Sequence, residues 1–396
     1  MFLFSLRFTE VYWVVYLRGK GFSFAGIGLL ETVFHIASFS SEIPTGIIAD
    51  RFGRRVSLSV GRALAAVSAA LTLYARNWSL LAASFAVSAI SYTCHSGAFD
   101  ALVYDSLPED RRTDFTRLMG KLNSTYLAGT ALAGALAALL ARASLDWLYR
   151  AVVAVDIVAA VVALMLPENS LSRAPRKDGT PGSASGGFIS DLKALYASLK
   201  QPDLRNLLLL WGIAGALGTS VVFYGQSVLK ESLLPLYMVG LAGTAGNLLA
   251  ILPTSSAHKL QKRFGQKAPV VAGSFALPAL VVALGLVPGA AGWLPRAGVV
   301  ALYVAIPIVQ ETLYPLFSDA VNARTGSSNR AAVLSSGGMM FSLSMMVTFP
   351  LIGYLGDHLG LRWGLVAGAF LTAICITPVA LALSPRRPSV ARDASS

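Results

Sequence analysis

Charged residues are scarce in this chain of 396 amino acids. They make up 13 % of the sequence, whereas soluble globular proteins carry about 25 %. Hydrophobic residues make up 55 %, and the mean hydropathy is +0.63. This composition argues against a soluble protein and predicts an all-α polytopic membrane protein.

Cysteine and histidine are also rare. The two cysteines, Cys94 and Cys375, lie in apolar segments, and the chain has no Cys-x-x-Cys motif or Cys/His cluster. We therefore expect no disulfide framework, no metal site and no cofactor. A nucleotide-binding loop and a nucleophile–base constellation are missing as well, which argues against an enzyme.

The basic residues give the chain a formal net charge of +12, but they fall in short segments between apolar runs. The preference of Lys and Arg for the cytoplasmic side of a membrane explains them, so we expect contact with a lipid bilayer and not with nucleic acid. If the runs cross the membrane in alternating directions, the side that holds both termini carries three times as many Lys and Arg residues as the opposite side. This bias predicts a cell-membrane protein with both termini in the cytoplasm.

Twelve apolar runs are long enough to cross a hydrocarbon core of about 30 Å. They cover residues 2–17, 24–49, 56–75, 78–104, 118–141, 146–166, 204–225, 232–257, 268–288, 297–319, 331–355 and 363–383.

A polar segment divides these runs into six and six. We expect an N-terminal bundle at 1–166, a cytoplasmic linker at 167–203, a C-terminal bundle at 204–384 and a cytoplasmic tail at 385–396. Apolar residues recur at helical spacing within Phe188–Lys200, which indicates an amphipathic helix at the membrane surface.

The most informative motif follows the second apolar run, in the sequence GIIADRFGRR. It closely resembles the loop between helices 2 and 3 of major facilitator superfamily (MFS) transporters. That resemblance implies the MFS fold, with twelve transmembrane helices in two six-helix bundles of 6+6 pseudo-symmetry. It also implies an ionic latch that holds the bundles in the outward-facing state, formed by Gly46, Asp50, Arg51, Gly53, Arg54, Arg55 and Asp105.

An internal repeat supports the same architecture. A shift of 212 residues places Asp50-Arg51-Phe52-Gly53 on Lys262-Arg263-Phe264-Gly265, in the equivalent loop of the second half. Because the acid has become Lys262, the second copy keeps the position of the loop but not its charge pattern.

Ionisable side chains inside apolar runs are costly and mark candidates for proton coupling. Glu31, His35, Ser38 and Glu42 follow one another at spacings of 4, 3 and 4, which puts them on one face of the second helix. We predict Glu42 as the proton carrier and His35 as its relay; the alternative is a set of structural hydrogen bonds. Further candidates are Glu31, Asp100, His95 and Glu311.

Aromatic and methionine side chains in the second half are candidates for a substrate cavity, with plain helix packing as the alternative. They are Tyr224, Gln226, Tyr303, Tyr314, Met339 and Met340. Three further charges within apolar runs, Arg62, Lys121 and Asp156, have no partner that the sequence identifies.

These patterns predict a monomeric secondary active transporter that exports a small, amphipathic organic solute in exchange for protons. The helix-4 arginine and the proline-rich helix 5 typical of proton-coupled drug exporters in this superfamily are missing here. The alternatives are therefore uptake of a metabolite by proton symport, and a membrane scaffold that transports nothing.

Overall fold

The computed structural model of the chain describes residues 1–95, 98–105, 107, 115–166, 187–288, 292–325 and 330–383. Within them the secondary structure is helical, beginning with a 3₁₀ turn at Phe2–Ser5. The first helices are α1 Trp13–Gly19, α2 Phe24–Phe52, α3 Arg54–Tyr74, α4 Trp78–His95, α5 Ala98–Asp105, α6 Phe115–Ala143, α7 Asp146–Leu164 and α8 Gly187–Leu199. The remaining helices are α9 Pro202–Glu231, α10 Leu236–Ser255, α11 Ala257–Phe264, α12 Lys267–Leu286, α13 Trp293–Asn322, α14 Arg330–Leu359 and α15 Leu361–Ala382.

Ten helices in the described part of the chain are long and apolar enough to cross a membrane. They correspond to ten of the twelve predicted runs, and the prediction of an all-α polytopic membrane protein is confirmed. Three of them, α9, α13 and α14, contain 30 residues, which is about 45 Å of helix and more than a hydrocarbon core requires.

The two other predicted runs are not among these ten helices. The run 78–104 consists of α4 and α5, on either side of residues 96–97, which lie outside the described residues. In the run 2–17 only α1 is α-helical, and residues 6–12 form successive tight turns instead. The charged residues Arg7 and Glu10 lie in that irregular segment.

A glycine with a left-handed backbone separates α2 from α3, and another ends α11. Gly53 has φ +97° and Gly265 has φ +75°. Each donates its N–H to the carbonyl four residues before it, of Ala49 and Gln261 respectively. A side chain at either position would strain the backbone, which is why the sequence has glycine there.

The first compact unit contains Met1–Ser190 together with Pro235–Thr244. Here α3 packs against α4 and α7, and α2 packs against α4. Small polar side chains join the helices, as shown by the hydroxyl of Ser91, which donates to the Gly61 carbonyl at 2.7 Å. Such contacts let membrane helices approach closely, and they give the serines of α4 a packing role.

A lysine completes the C-terminal end of α3. The Nζ of Lys20 donates to the carbonyls of Thr72, Leu73 and Ala75 at 2.9, 2.6 and 3.3 Å. A cation at a helix C-terminus is favourable because it interacts with the helix dipole and with carbonyls that lack an intrahelical partner. Burial lowers the pKa of this lysine, and the nearby Asp146 carboxylate opposes the shift.

The second compact unit contains Asp191–Leu234 and Ala245–Ser396. Its central element is α9, which packs against α12, α13, α14 and α15. Glycine allows one of these contacts, because a Cβ added at Gly212 would lie 2.7 Å from the Met340 side chain. This unit therefore has its core around a single long helix.

Candidate functional site

The predicted latch residues follow one another through the turn between α2 and α3. Gly46 and Arg51 belong to α2, Gly53 forms the turn, and Arg54 and Arg55 begin α3. The guanidinium of Arg51 lies over the Phe52 ring at 5.7 Å. The side chains of Asp50 and Asp105 lie outside the described residues, although α5, which ends at Asp105, packs against α3.

Two of the predicted proton-coupling residues meet on α2. The Nε2 of His35 lies 3.8 Å from the Oε2 of Glu31, and both side chains are largely buried. The ring of Phe34 contacts the His35 ring edge to face at 5.5 Å. Glu42, two turns further along the same helix, has an exposed side chain. The structure therefore gives His35 an acidic neighbour on the N-terminal side of the helix.

A buried ion pair is the main feature of the first unit that the sequence did not identify. The Nη2 of Arg62 in α3 lies 2.5 Å from the Oδ1 of Asp156 in α7. Its guanidinium also covers the Phe4 ring at 4.7 Å. Both residues interrupt apolar runs, and this was the signal available in the sequence. Lys121, the third such charge, has an exposed side chain.

Other polar groups surround this pair. The charge of Arg7 lies within electrostatic range of Glu10, Asp156, Tyr92 and Tyr126. His95, a predicted proton-coupling residue, is located between two aromatic rings, with centroid distances of 5.1 Å to Phe4 and 6.0 Å to Phe99. The side chain of Asp100, another of the predicted residues, lies outside the described residues. The first unit thus places several ionisable groups near the ion pair, some in helices and some in the irregular segment before α1.

The second unit contains an open cavity of about 250 Å³ that is lined by α9, α12, α13 and α14. Aromatic side chains and one acid form much of its wall. The lining residues include Trp211, Gln310, Glu311, Tyr314, Phe317 and Phe341. This arrangement is suited to a small molecule that has an apolar body and a polar or charged group.

Most of the predicted cavity residues are packed in the core of the second unit. Tyr224 stacks on Phe349 at 4.3 Å and donates its hydroxyl to the Phe349 carbonyl. The Tyr303 hydroxyl donates to the carbonyl of Val222, and Gln226 is buried.

Tyr314 and Glu311 do line the cavity. Met339 and Met340 are buried in α14 beside it. The sequence placed the aromatic residues on the correct helices but could not show which of them face the cavity.

Comparisons with known proteins agree on one family. The sequence profile of the Major Facilitator Superfamily matches residues 2–326. Over 99 residues the chain is 28 % identical to the uncharacterised MFS-type transporter YxaM of Bacillus subtilis (strain 168). That match spans 25 % of either chain, so the relative supports membership and says little about the remainder.

Solved transporter structures match nearly the whole chain. A variant of the nucleoside transporter NupG superposes with a TM-score of 0.82 at 12 % identity, covering 97 % of this chain and 98 % of NupG. A bacterial homologue of the human lysosomal transporter Spinster gives 0.70 at 15 %, covering 96 % and 95 %. A POT family transporter in complex with 5-aminolevulinic acid gives 0.68 at 12 %, covering 96 % and 93 %. At such identities the likeness shows the fold alone.

Proposed function

Because the chain belongs to the Major Facilitator Superfamily and is an integral membrane transporter of that type, we propose that it exports a small amphipathic organic solute in exchange for protons. The observation that carries the proposal is the cavity of the second unit, where aromatic walls adjoin the carboxylate of Glu311. Aromatic surface binds the apolar part of a solute, and the carboxylate provides a group for its polar part.

Proton coupling is assigned to the polar face of α2. Glu42 is the proposed carrier and His35 the relay, and the 3.8 Å approach of Glu31 to His35 provides a second acid at the other end of the relay. The exposed Glu42 carboxylate can exchange a proton with water, whereas Glu31 and His35 are largely buried. A carboxyl group in a low-dielectric site such as that of Glu31 binds a proton more readily than one in water, and the exchange of that proton can follow the alternation of the transporter. His95, Asp100 and Glu311 remain candidates.

The turn after α2 is the proposed latch that stabilises one of the alternating states. Gly53 fixes the path of the chain, and Arg51, Arg54 and Arg55 lie beside it. Asp50 and Asp105 would provide the acidic groups of the latch. We further propose that the chain is a monomer with helix bundles at 1–166 and 204–384 and with both termini in the cytoplasm.

Transport can be tested without knowing the solute, by following the proton gradient. Everted vesicles that contain the chain are acidified inside, and a pH-sensitive dye reports the gradient while amphipathic solutes are added one at a time. An exchanged solute collapses the gradient in these vesicles and leaves it intact in vesicles without the chain. A solute that dissipates an inward gradient only in right-side-out vesicles would instead indicate uptake by symport, and no effect in either orientation would favour the scaffold.

The carrier is tested with Glu42→Gln, Glu31→Gln and His35→Ala in the same vesicles. The proposal requires Glu42→Gln and His35→Ala to abolish accumulation driven by the gradient, while exchange of solute for solute without a gradient survives. If Glu42→Gln keeps normal accumulation, it is not the carrier, and loss in Glu31→Gln would assign the role to Glu31. If all three variants accumulate normally, the α2 proposal is wrong.

The orientation is tested by reporter fusions. A reporter protein fused after Arg112 should be located in the cytoplasm. One fused at Arg76, between α3 and α4, should be located outside the cell. The opposite pattern would refute cytoplasmic termini and would place the latch turn on the outer side.

A further inference from the structure

The aromatic residues of the second-unit cavity are arranged around Trp211. Tyr314 contacts the indole edge to face, with a centroid distance of 5.7 Å and an interplanar angle of 83°. Phe317 stacks on it at 5.8 Å and 8°. The faces of aromatic rings carry negative charge density, and several rings around one space attract a cation more strongly than one ring does.

Glu311 adds a full negative charge to this wall. It is the one charged side chain among the described residues that line the cavity, and it forms no ion pair within the described part of the chain. Its side chain is exposed at the cavity, within a membrane-spanning helix, and a carboxylate beside aromatic surface in such a place attracts a cation or a proton. The wall therefore has a charge that a ligand can balance.

Other classes of ligand fit the wall less well. An anion would be repelled by Glu311. A sugar or another polyol needs many hydrogen-bonding groups, and the described lining residues offer few. The amide Nε2 of Gln310 is already engaged with the Thr219 hydroxyl at 2.7 Å, which leaves the Oε1 of that side chain as its available group. A neutral aromatic molecule would contact Trp211 and Tyr314 but would leave the carboxylate without a counter-charge.

We propose that this cavity binds an organic cation, whose charged group pairs with Glu311 and whose apolar part packs on Trp211 and Tyr314. This inference deepens the proposed transport function and rests on it for the identity of the site. It assigns the transported solute to the ammonium-type cations that carry an aromatic or aliphatic body. The volume of about 250 Å³ accommodates a body with one or two rings.

Direct binding to the purified protein tests the charge of the ligand. Benzyltrimethylammonium and neopentylbenzene have the same shape, and they differ in a nitrogen cation that replaces a neutral carbon. Calorimetric titration of the protein in detergent should give a dissociation constant for the cation that is at least about tenfold lower than that for the neutral molecule. Equal affinities, or no binding of the cation, would overturn the proposal.

Variants on one helix locate the charge. Glu311→Gln should weaken binding of benzyltrimethylammonium by about tenfold or more and leave neopentylbenzene unaffected, because the shape of the wall is kept. Asp319→Asn, eight residues later on α13, is the matched control and should leave both affinities unchanged, because Asp319 contacts Gln266 and not the cavity. An unchanged affinity of Glu311→Gln for the cation would refute the role of Glu311.

Two further results keep the test decisive. If Glu311→Gln does not fold, two other variants replace it. Glu311→Asp keeps the charge and should retain the preference for the cation, whereas Tyr314→Leu removes part of the aromatic wall and should reduce that preference. Loss of the preference in Glu311→Asp together with its retention in Tyr314→Leu would overturn the proposal. Binding and transport fail separately. Selective cation binding without any effect on the proton gradient supports the cation site and refutes proton exchange. Exchange of neutral solutes for protons without selective cation binding supports the transport function and refutes the cation site.

Discussion

The turn after α2 and the turn after α11 have similar backbone conformations, but they differ in charge. In both, an Arg-Phe-Gly sequence ends a helix, the glycine has a positive φ, and the arginine covers the phenylalanine ring, at 5.7 Å for Arg51 and 5.2 Å for Arg263. The acid at position 50 in the first turn corresponds to Lys262 in the second. The second turn forms without that acid, so Asp50 is not needed to make the turn and is available for another role.

The second turn is fixed by a neutral side chain. Gln266 donates from its Nε2 to the Asp319 carboxylate at 3.3 Å and accepts at its Oε1 from Arg324 at 3.4 Å. These hydrogen bonds join the turn to α13, and within the described part of the chain the turn itself has no ion pair. The second turn is therefore held by hydrogen bonds of a neutral side chain, whereas the proposed latch of the first turn depends on charged residues.

The cores of the two units also differ in charge. The ninth residue after Gly53 is Arg62, which pairs with Asp156 at 2.5 Å. The ninth residue after Gly265 is Ser274, whose hydroxyl donates to the Val270 carbonyl of its own helix at 2.8 Å. The first unit therefore contains a buried charge pair where the second contains a small residue, and the one charged residue among the described residues that line the cavity of the second unit is Glu311.

Removal of one member of the buried pair should have the largest effect. Arg62→Gln leaves the Asp156 carboxylate without its partner, and such changes cost about 3–5 kcal/mol. We expect a melting midpoint several degrees lower for the purified protein, measured by size-exclusion chromatography after heating. Ser274→Ala, the equivalent change in the second unit, should leave the midpoint almost unchanged because it removes one bond within a helix.

The double variant Arg62→Met with Asp156→Leu sharpens this prediction. It removes both charges and keeps the volume, so it should recover most of the lost stability. If the double variant is as unstable as Arg62→Gln, the pair contributes through its hydrogen bonds to other groups and not through the balance of two charges. If Arg62→Gln has wild-type stability, the pair does not stabilise the first unit.

The two turns should respond differently to loss of a charge. We expect Asp50→Asn to reduce solute-dependent collapse of the proton gradient by about tenfold, since a shift of 1–3 kcal/mol redistributes states that differ by a few. Expression should change little. Lys262→Gln is the matched change in the second turn and should keep activity within about twofold, because the contact there is made by Gln266. Equal losses in both variants would contradict a latch specific to the first turn.

The backbone of both turns should tolerate alanine equally poorly. Gly53 and Gly265 combine positive φ with ψ of 155° and 175°, a region that is essentially restricted to glycine. We expect Gly53→Ala and Gly265→Ala each to cost about 1–3 kcal/mol in thermal stability. Gly338→Ala is a suitable control, because its Cβ would meet no atom within 4 Å and its helical backbone accepts alanine. A neutral effect at Gly53 would mean that the turn can adopt another conformation.

Much of this fold was predictable because membrane helices must be long and apolar. Ten apolar runs became spanning helices, and the sequence RFG marked both turns, since few residues other than glycine adopt their backbone. The interruption of the first run was not predicted. A hydropathy average over residues 2–17 conceals Arg7 and Glu10 among apolar neighbours, and it contains no information about backbone hydrogen bonds.

The candidate site was less predictable, because side-chain direction depends on packing. Tyr303 and Tyr314 lie on the same helix, yet Tyr303 is fully buried against Gly225 and Tyr314 is 62 % exposed at the cavity. Trp211 did not stand out in the sequence because α9 is apolar on all sides. The pairing of Arg62 with Asp156 joins residues 94 positions apart, and helical spacing cannot reveal a contact between helices.

The irregular segment between the first 3₁₀ turn and α1 has a consequence for the exchange of amide hydrogens. Its backbone hydrogen bonds are short-range, for example from the Arg7 N–H to the Ser5 carbonyl at 2.8 Å and from the Tyr12 N–H to the Thr9 carbonyl at 2.9 Å. Lipid cannot satisfy the remaining amide groups, so a non-helical backbone at membrane depth must face protein or water. Residues 6–12 should therefore incorporate deuterium faster than the neighbouring α3, and a peptide from this segment can report when water reaches the interior of the first unit.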